Sequence, residues 1–243
     1  MPSSAVHTFT DPDDYAASIR ATKAEVTVTG RGQFTAKLTR IDLHRLWMQR
    51  LYESMPRVVH SAFVTGRAIV TFRTHTGPGL RWGGAELQPT NIIRHAEGED
   101  AFQRSPGPAS WGAMSLPVED MVSVGAALAG INLTPPKDPL ILTPLPSAMV
   151  KLQRLHAAAG QLAEDAPEII AHPEAARGLE QALIEAMVGC LGGDGVREDR
   201  SAQRNHSLIM RRFHRAVEEN ADRPLYIPEL CGAIAVSDRT LSC

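Results

Sequence analysis

Residues 221–243, ADRPLYIPELCGAIAVSDRTLSC, set the architecture at the carboxy-terminal end of this chain. Pro228 suits a first helical position, where its missing N–H would have had no intrahelical partner. Ile227, Leu230, Cys231 and Ile234 recur at the spacing of an apolar stripe, so a short helix starts near Pro228. Ala235 and Val236 make a turn. Ser237 is a good N-cap, able to accept from the N–H of Arg239 or Thr240, so a second helix opens at Asp238 with Leu241 facing inward. The pattern is two short helices meeting at a corner, a helix-turn-helix whose second helix has barely one turn before Cys243.

This stretch closely resembles the first helix-turn-helix of the AraC/XylS family of bacterial transcription regulators. The matching residues are Arg223-Pro224-Leu225 ahead of the motif, Pro228-Glu229-Leu230-Cys231 in its first helix, and Val236-Ser237 with Arg239-Thr240-Leu241 at the turn and second helix. Ala235 stands where the family often has glycine. Family members carry two such motifs joined by a long helix, and the resemblance implies an end within the first of them. Asp238, Arg239 and Thr240, capped by Ser237, then occupy the first turn of the recognition helix, the part that enters the major groove. Arginine there suits guanine or a phosphate, and threonine a thymine methyl or a phosphate. Loss of the second recognition helix removes phosphate contacts and their counterion release, so sequence-specific DNA binding is expected to be weak or lost.

The remainder of the chain fits the same layout. Thr10-Asp11-Pro12 with Asp13 and Asp14 is a helix start, and a short helix should run through Ser18. From Glu25 to about Ser115 the apolar period is two: Val26 and Val28, Phe34, Ala36 and Leu38, then Ile41 to Met48, Val58 to Val64, Ala68 to Arg73 and Ile92 to His95. Glycines at 30, 32, 66, 77, 79, 83 and 84 punctuate these segments, as in a β-barrel or sandwich. Beyond Pro117 the period lengthens. One helix runs from Pro117 to about Ala129 and stops ahead of the proline-rich Thr134 to Pro139. Ser147 caps a second, with Val150, Leu152, Leu155, Ala159 and Leu162 as its apolar face, and Pro173 starts a third, striped by Leu179, Leu183, Met187, Cys190 and Leu191. These two read as a hairpin. Gly192 through Gln203 is glycine-bearing and charged, a linker, and a last full helix spans His206 to about Asn220.

The expected fold is therefore α+β: a cupin-like β-barrel over residues 1–145 that senses an effector, a helical dimerisation hairpin over 146–192, a linker over 193–204, and a partial helix-turn-helix domain over 205–243. The resemblance implies a transcription regulator with DNA, a second copy of itself and a small-molecule effector as partners. With 243 residues, 43% of them hydrophobic, the chain can build one large or two small cores. A net charge of −2 gives no global attraction to nucleic acid, so DNA contact must be local. Cys190, Cys231 and Cys243 are odd in number and lack a CxxC pair, which argues against a disulfide framework or structural zinc and for a reducing cytoplasm. No apolar run is long enough to span a bilayer, and the polar, acidic first residues are no export signal.

Other candidate sites are weighed against plainer roles. Arg211, Arg212 and Arg215 make a basic strip, but Glu218 and Glu219 follow and an intrahelical charge pattern explains them equally well. A cupin-type metal enzyme is the alternative function. It needs paired histidines at alternate strand positions with a carboxylate soon after, and no HxH occurs; His44, His60, His75 and His95 stand singly on different expected strands. No catalytic constellation, metal site or cofactor is expected. A dimerisation-only module modulating a full-length relative is a further alternative. Trp47, Trp82, Trp111, Phe63 and Phe72 either line an effector pocket or form ordinary core.

Overall fold

A computed structural model describes residues 1–77, 79–192, 196–199, 212–213, 215–220 and 223–234. The chain divides into two compact units, Met1–Trp82 with Glu86–Asp199, and Gly83–Ala85 with Arg200–Cys243.

In the first unit two antiparallel sheets face each other. The larger runs in the order β1 (Ser3–Phe9), β3 (Ala36–Asp42), β4 (Trp47–Glu53), β11 (Ala109–Pro117), β6 (Arg67–Arg73), β9 (Ile92–Arg94), β12 (Leu140–Thr143) and β13 (Arg197–Asp199). The smaller comprises β2 (Thr22–Val28), β5 (Arg57–Phe63), β10 (Asp100–Ser105), β7 (Leu80–Trp82) and β8 (Ala85–Leu87). The α+β class and the strand-rich amino-terminal part are as expected, arranged as two facing sheets. Helix α1 (Pro12–Ser18) begins as its sequence directs, with the Asp11 carboxylate accepting from the N–H of Asp13 at 2.8 Å and Asp14 at 3.1 Å. Helix α2 (Val118–Ala129) ends earlier than its prolines would require. Gly130 takes the left-handed conformation at φ 65° and closes the last turn through bonds to Ala126 and Gly125.

Alternation along two central strands splits their side chains between two buried surfaces. On β4, Trp47, Gln49, Leu51 and Glu53 face the space between the sheets, whereas Met48 joins the core beneath the helices. On β6, Ile69 and Thr71 face inward while Ala68, Val70 and Phe72 face the helices. Helices α3 (Pro146–Asp165) and α5 (Pro173–Leu191) supply the other side of that core through Leu152, Ala159, Leu183 and Met187, with the short α4 (Pro167–Ala171) between them. The hairpin expected from the sequence is thus packed on the outer face of the larger sheet. Gly112 permits a close approach here, since a Cβ there would lie 2.7 Å from the Phe72 ring and 2.9 Å from His156.

Several local expectations are corrected. The stretch Ile41 to Met48 is two strands rather than one, folded at Leu43–Leu46, where the buried Glu180 carboxylate accepts from the N–H of Arg45 at 2.7 Å and Leu46 at 2.9 Å. Ser147 lies inside the first turn of α3; Leu145 is the cap and no side chain bonds there. Val150 is exposed, and the buried face of α3 runs instead through Met149, Leu152, His156, Ala159, Gly160 and Ala163. Within the segment read as linker, Arg197–Asp199 pairs with β12 in the register Thr143 to Arg197, Ile141 to Asp199.

In the second unit, residues 212–213 and 215–218 are helical and Ala216 is buried. Helix α6 (Ile227–Ile234) begins one residue before Pro228. Its start is held by Glu229, which accepts from the N–H of Tyr226 at 3.0 Å and pairs with Arg223 at 3.0 Å, half of a capping box. Both contacts hold the Glu229 carboxyl below its usual range. Ile227 is 57% exposed and lies outside any seam, whereas Cys231 is buried and Leu230 half-buried.

Candidate functional site

The facing sheets enclose a cavity lined by side chains of β2, β4, β5, β6, β7, β10 and β11 and by the segment Ile19–Thr22. Its volume is about 80 Å³, or about 750 Å³ when the open space beside it is counted. Trp47, Trp82, Trp111 and Phe63 stand in its wall, as the sequence suggested. Phe72 does not; it lies on the opposite face of β6, its ring 5.0 Å from that of His156.

Sequence inspection missed the polar part of the wall. At one end, Glu53 is buried and accepts from Arg57 Nη2 at 2.6 Å and from the Tyr15 hydroxyl at 3.0 Å. Burial first, and the Glu53 charge second, push the Tyr15 phenol well above its ordinary pKa. Arg57 is wholly buried, and its Nε and Nη1 have no partner among the described residues. Elsewhere in the wall, Gln49 clasps the backbone of Arg20, accepting from its N–H at 2.9 Å and donating to its C=O at 3.1 Å. The Arg20 side chain pairs with Asp42. Arg67 lies over the Trp47 ring at 3.7 Å and Arg20 at 5.3 Å. Ala21, in the lining segment Ile19–Thr22, has φ 65°, the one non-glycine left-handed residue among those described. Such a conformation costs about 1 kcal/mol and is typical of segments shaped by a site rather than by local preference.

A third polar group sits against the aromatic wall. His95 stacks on Phe63 at 4.0 Å and meets Trp82 edge-on at 5.5 Å. Its Nε2 is 2.8 Å from the Thr71 hydroxyl and its Nδ1 is 3.2 Å from Glu99, which also accepts from the N–H of Ala96 at 3.0 Å. Thr71, His95 and Glu99 stand in the order of a hydrolytic triad. Thr71, however, lies in mid-strand, with β6 paired to β11 on one side and β9 on the other. Pairing on both sides commits the backbone N–H groups of β6 to the two ladders.

The other histidines do not converge. His44 and His75 are exposed in loops, not on strands as expected, and His60 lies on β5 with its Nε2 3.1 Å from Asp100. Among the described residues no three His, Cys, Asp or Glu side chains are grouped as metal ligands. No described helix is long and apolar enough to cross a membrane. Arg212 and Arg215 are exposed, and Arg211 lies outside the described residues. So do Ser237, Asp238, Arg239 and Thr240, together with the corner at Val236 and Leu241.

No family model and no curated protein matches the chain. Among solved structures, it is similar to the AraC-like transcriptional activator CuxR, at 14% identity over 98% of this chain and 87% of that one, with a TM-score of 0.54. ToxT from Vibrio cholerae, at 10% identity over 82% of this chain and 74% of that one, gives a TM-score of only 0.34. An RmlC-like cupin from Shewanella frigidimarina, at 11% identity over 39% of this chain and 85% of that one, gives 0.28. The last two overlays are too loose to bear on the fold. The first is not: the chain shares its fold with CuxR.

Proposed function

We propose that this protein is a transcription regulator of AraC type whose cavity between the sheets takes a small-molecule effector and whose carboxy-terminal unit makes weak contact with DNA. The observation that carries this reading is the likeness to CuxR along nearly the whole chain, at a TM-score above one half. Two further features support it. Residues 223–241 match the family's first motif, with Ser237, Asp238, Arg239 and Thr240 in the DNA-facing positions. The cavity joins an aromatic wall to a few placed polar groups, the usual make-up of a small-molecule site. Pairing of two copies through the exposed side of α3, where Val150 lies, would place two such units on one DNA.

Fluorescence anisotropy with labelled promoter DNA tests the reading. Binding should fall steeply with salt, and Arg239→Ala should weaken it, as expected for a cation at a phosphate or base edge. Affinity that is absent at low salt, or indifferent to Arg239→Ala, refutes the DNA-binding assignment.

A further inference from the structure

We infer that the cavity selects a small uncharged molecule bearing one hydrogen-bond acceptor and one donor, the acceptor received by Trp111 and the donor by Thr71. This rests on the effector reading above and specifies what that effector looks like.

The acceptor follows from Trp111. It belongs to the cavity wall, is only 5% exposed, and its Nε1 has no partner among the described residues. An indole N–H can only donate, and a buried one ordinarily has a partner. The donor follows from the relay behind Thr71. Glu99 accepts from Ala96 N–H and faces His95 Nδ1, which places the ring proton on Nδ1 and leaves Nε2 to accept from the Thr71 hydroxyl. With its proton committed to His95, the Thr71 oxygen offers lone pairs to the cavity. Thr71 sits opposite Ala113 in the ladder, two residues from Trp111 on the same face of β11. Such diagonal neighbours are about 7–8 Å apart at Cα, a separation that one small ring or amide bridges.

Charge is excluded because every charged group of the wall already has its counter-ion. Arg20 has Asp42 and Glu53 has Arg57; Glu99, outside the wall, is bonded to the His95 ring and the Ala96 N–H. Arg57 keeps two unpaired donors, but it is not part of the wall and its charge faces Glu53. An ionic ligand would be stripped of water with no partner left to compensate. The Gln49 amide is spent on the Arg20 backbone. The cavity volume of about 80 Å³ limits the seated part of the ligand. At about 10–15 Å³ for each water-sized atom it holds roughly five to eight non-hydrogen atoms.

Three matched probes test this on the full chain by saturation-transfer NMR titration: 2-pyrrolidinone with donor and acceptor, cyclopentanone with the acceptor alone, and the anion cyclopentanecarboxylate. Pyrrolidinone should bind most tightly and the anion least. Trp111→Phe should weaken both neutral probes about five-fold, whereas Thr71→Val should weaken pyrrolidinone about five-fold and leave cyclopentanone unchanged. Thr71→Ser, which keeps the hydroxyl, should behave as the parent. If a variant fails to fold, the ranking of probes on the parent protein still decides. Tighter binding of the anion than of pyrrolidinone overturns the ligand class while leaving the cavity as the effector site. Neutral binding indifferent to both substitutions overturns the donor and acceptor assignment alone. Binding of none of the three overturns the ligand class and the effector cavity together.

Discussion

His156 should make the stability of this protein fall as the solution is acidified, and by an amount that can be worked out. The ring is completely buried on α3, with Nε2 donating to the Gln49 carbonyl at 3.1 Å and Nδ1 accepting from Arg50 at 3.1 Å. Burial, and secondarily the Arg50 charge, lower its pKa from 6.5 to about 3. Between those values the unfolded chain binds a proton that the folded chain refuses, so stability is lost as pH drops through 6.5 toward 3. At pH 5 the loss relative to pH 8 is about 2 kcal/mol, and it approaches about 5 kcal/mol below pH 3. Urea unfolding at pH 8 and pH 5, on the parent and on His156→Gln, isolates this residue, because every other titrating group contributes to both proteins. Gln keeps a donor for the Gln49 carbonyl but cannot be protonated. The variant should be less stable at pH 8, yet its own loss on going to pH 5 should be smaller by about 2 kcal/mol. Equal losses in the two proteins would mean that His156 is solvated or charged in the fold, and the packing of α3 on β4 described above would be wrong.

Three further substitutions probe the same unit. Glu53→Gln leaves the wholly buried Arg57 without its counter-charge and should cost about 3–5 kcal/mol in denaturant unfolding, with Arg57→Met on that background restoring most of it. Gly112→Ala forces a methyl to within 2.7 Å of the Phe72 ring and should cost about 1–3 kcal/mol, visible as a lower melting temperature. Glu180→Gln removes the charged acceptor shared by the N–H groups of Arg45 and Leu46. It should cost about 1–3 kcal/mol and speed hydrogen exchange at those two amides; exchange unchanged there would refute the cap.

Where an element has one wet face, its pattern was readable. Helix α1 carries its own cap and acidic turn, and β2 and β5 alternate against solvent, so their positions follow from local chemistry. Strands β4 and β11 do not alternate in hydrophobicity because both faces are covered, one by the cavity and the other by α3 and α5. Trp111-Gly112-Ala113-Met114-Ser115-Leu116 therefore reads as a featureless run although Trp111, Ala113 and Ser115 line the cavity while Leu116 joins the helix-side core. The edge strand β1 is hidden for the opposite reason, since most of it is exposed and it is held by backbone pairing to β3.

The cavity was half legible on the same grounds. Its indoles and Phe63 announce themselves by size, but size alone cannot separate Phe63 from Phe72, and only register sends one inward and the other toward His156. The polar wall leaves a weaker trace. Gln49, Glu53, Thr71 and Gln103 occupy strand positions where a polar residue is ordinarily taken as solvent-facing. A hollow sheet interior inverts that inference, because a cavity tolerates polar side chains that a filled core would reject. His95 did carry a local signal: Glu99 lies four residues on, across a turn containing Gly98 at φ 64°, which brings carboxylate and imidazole within 3.2 Å. A histidine followed at that distance by an acid across a glycine turn is a bonded pair rather than a lone ring, and here it is the pair that orients Thr71 toward the cavity.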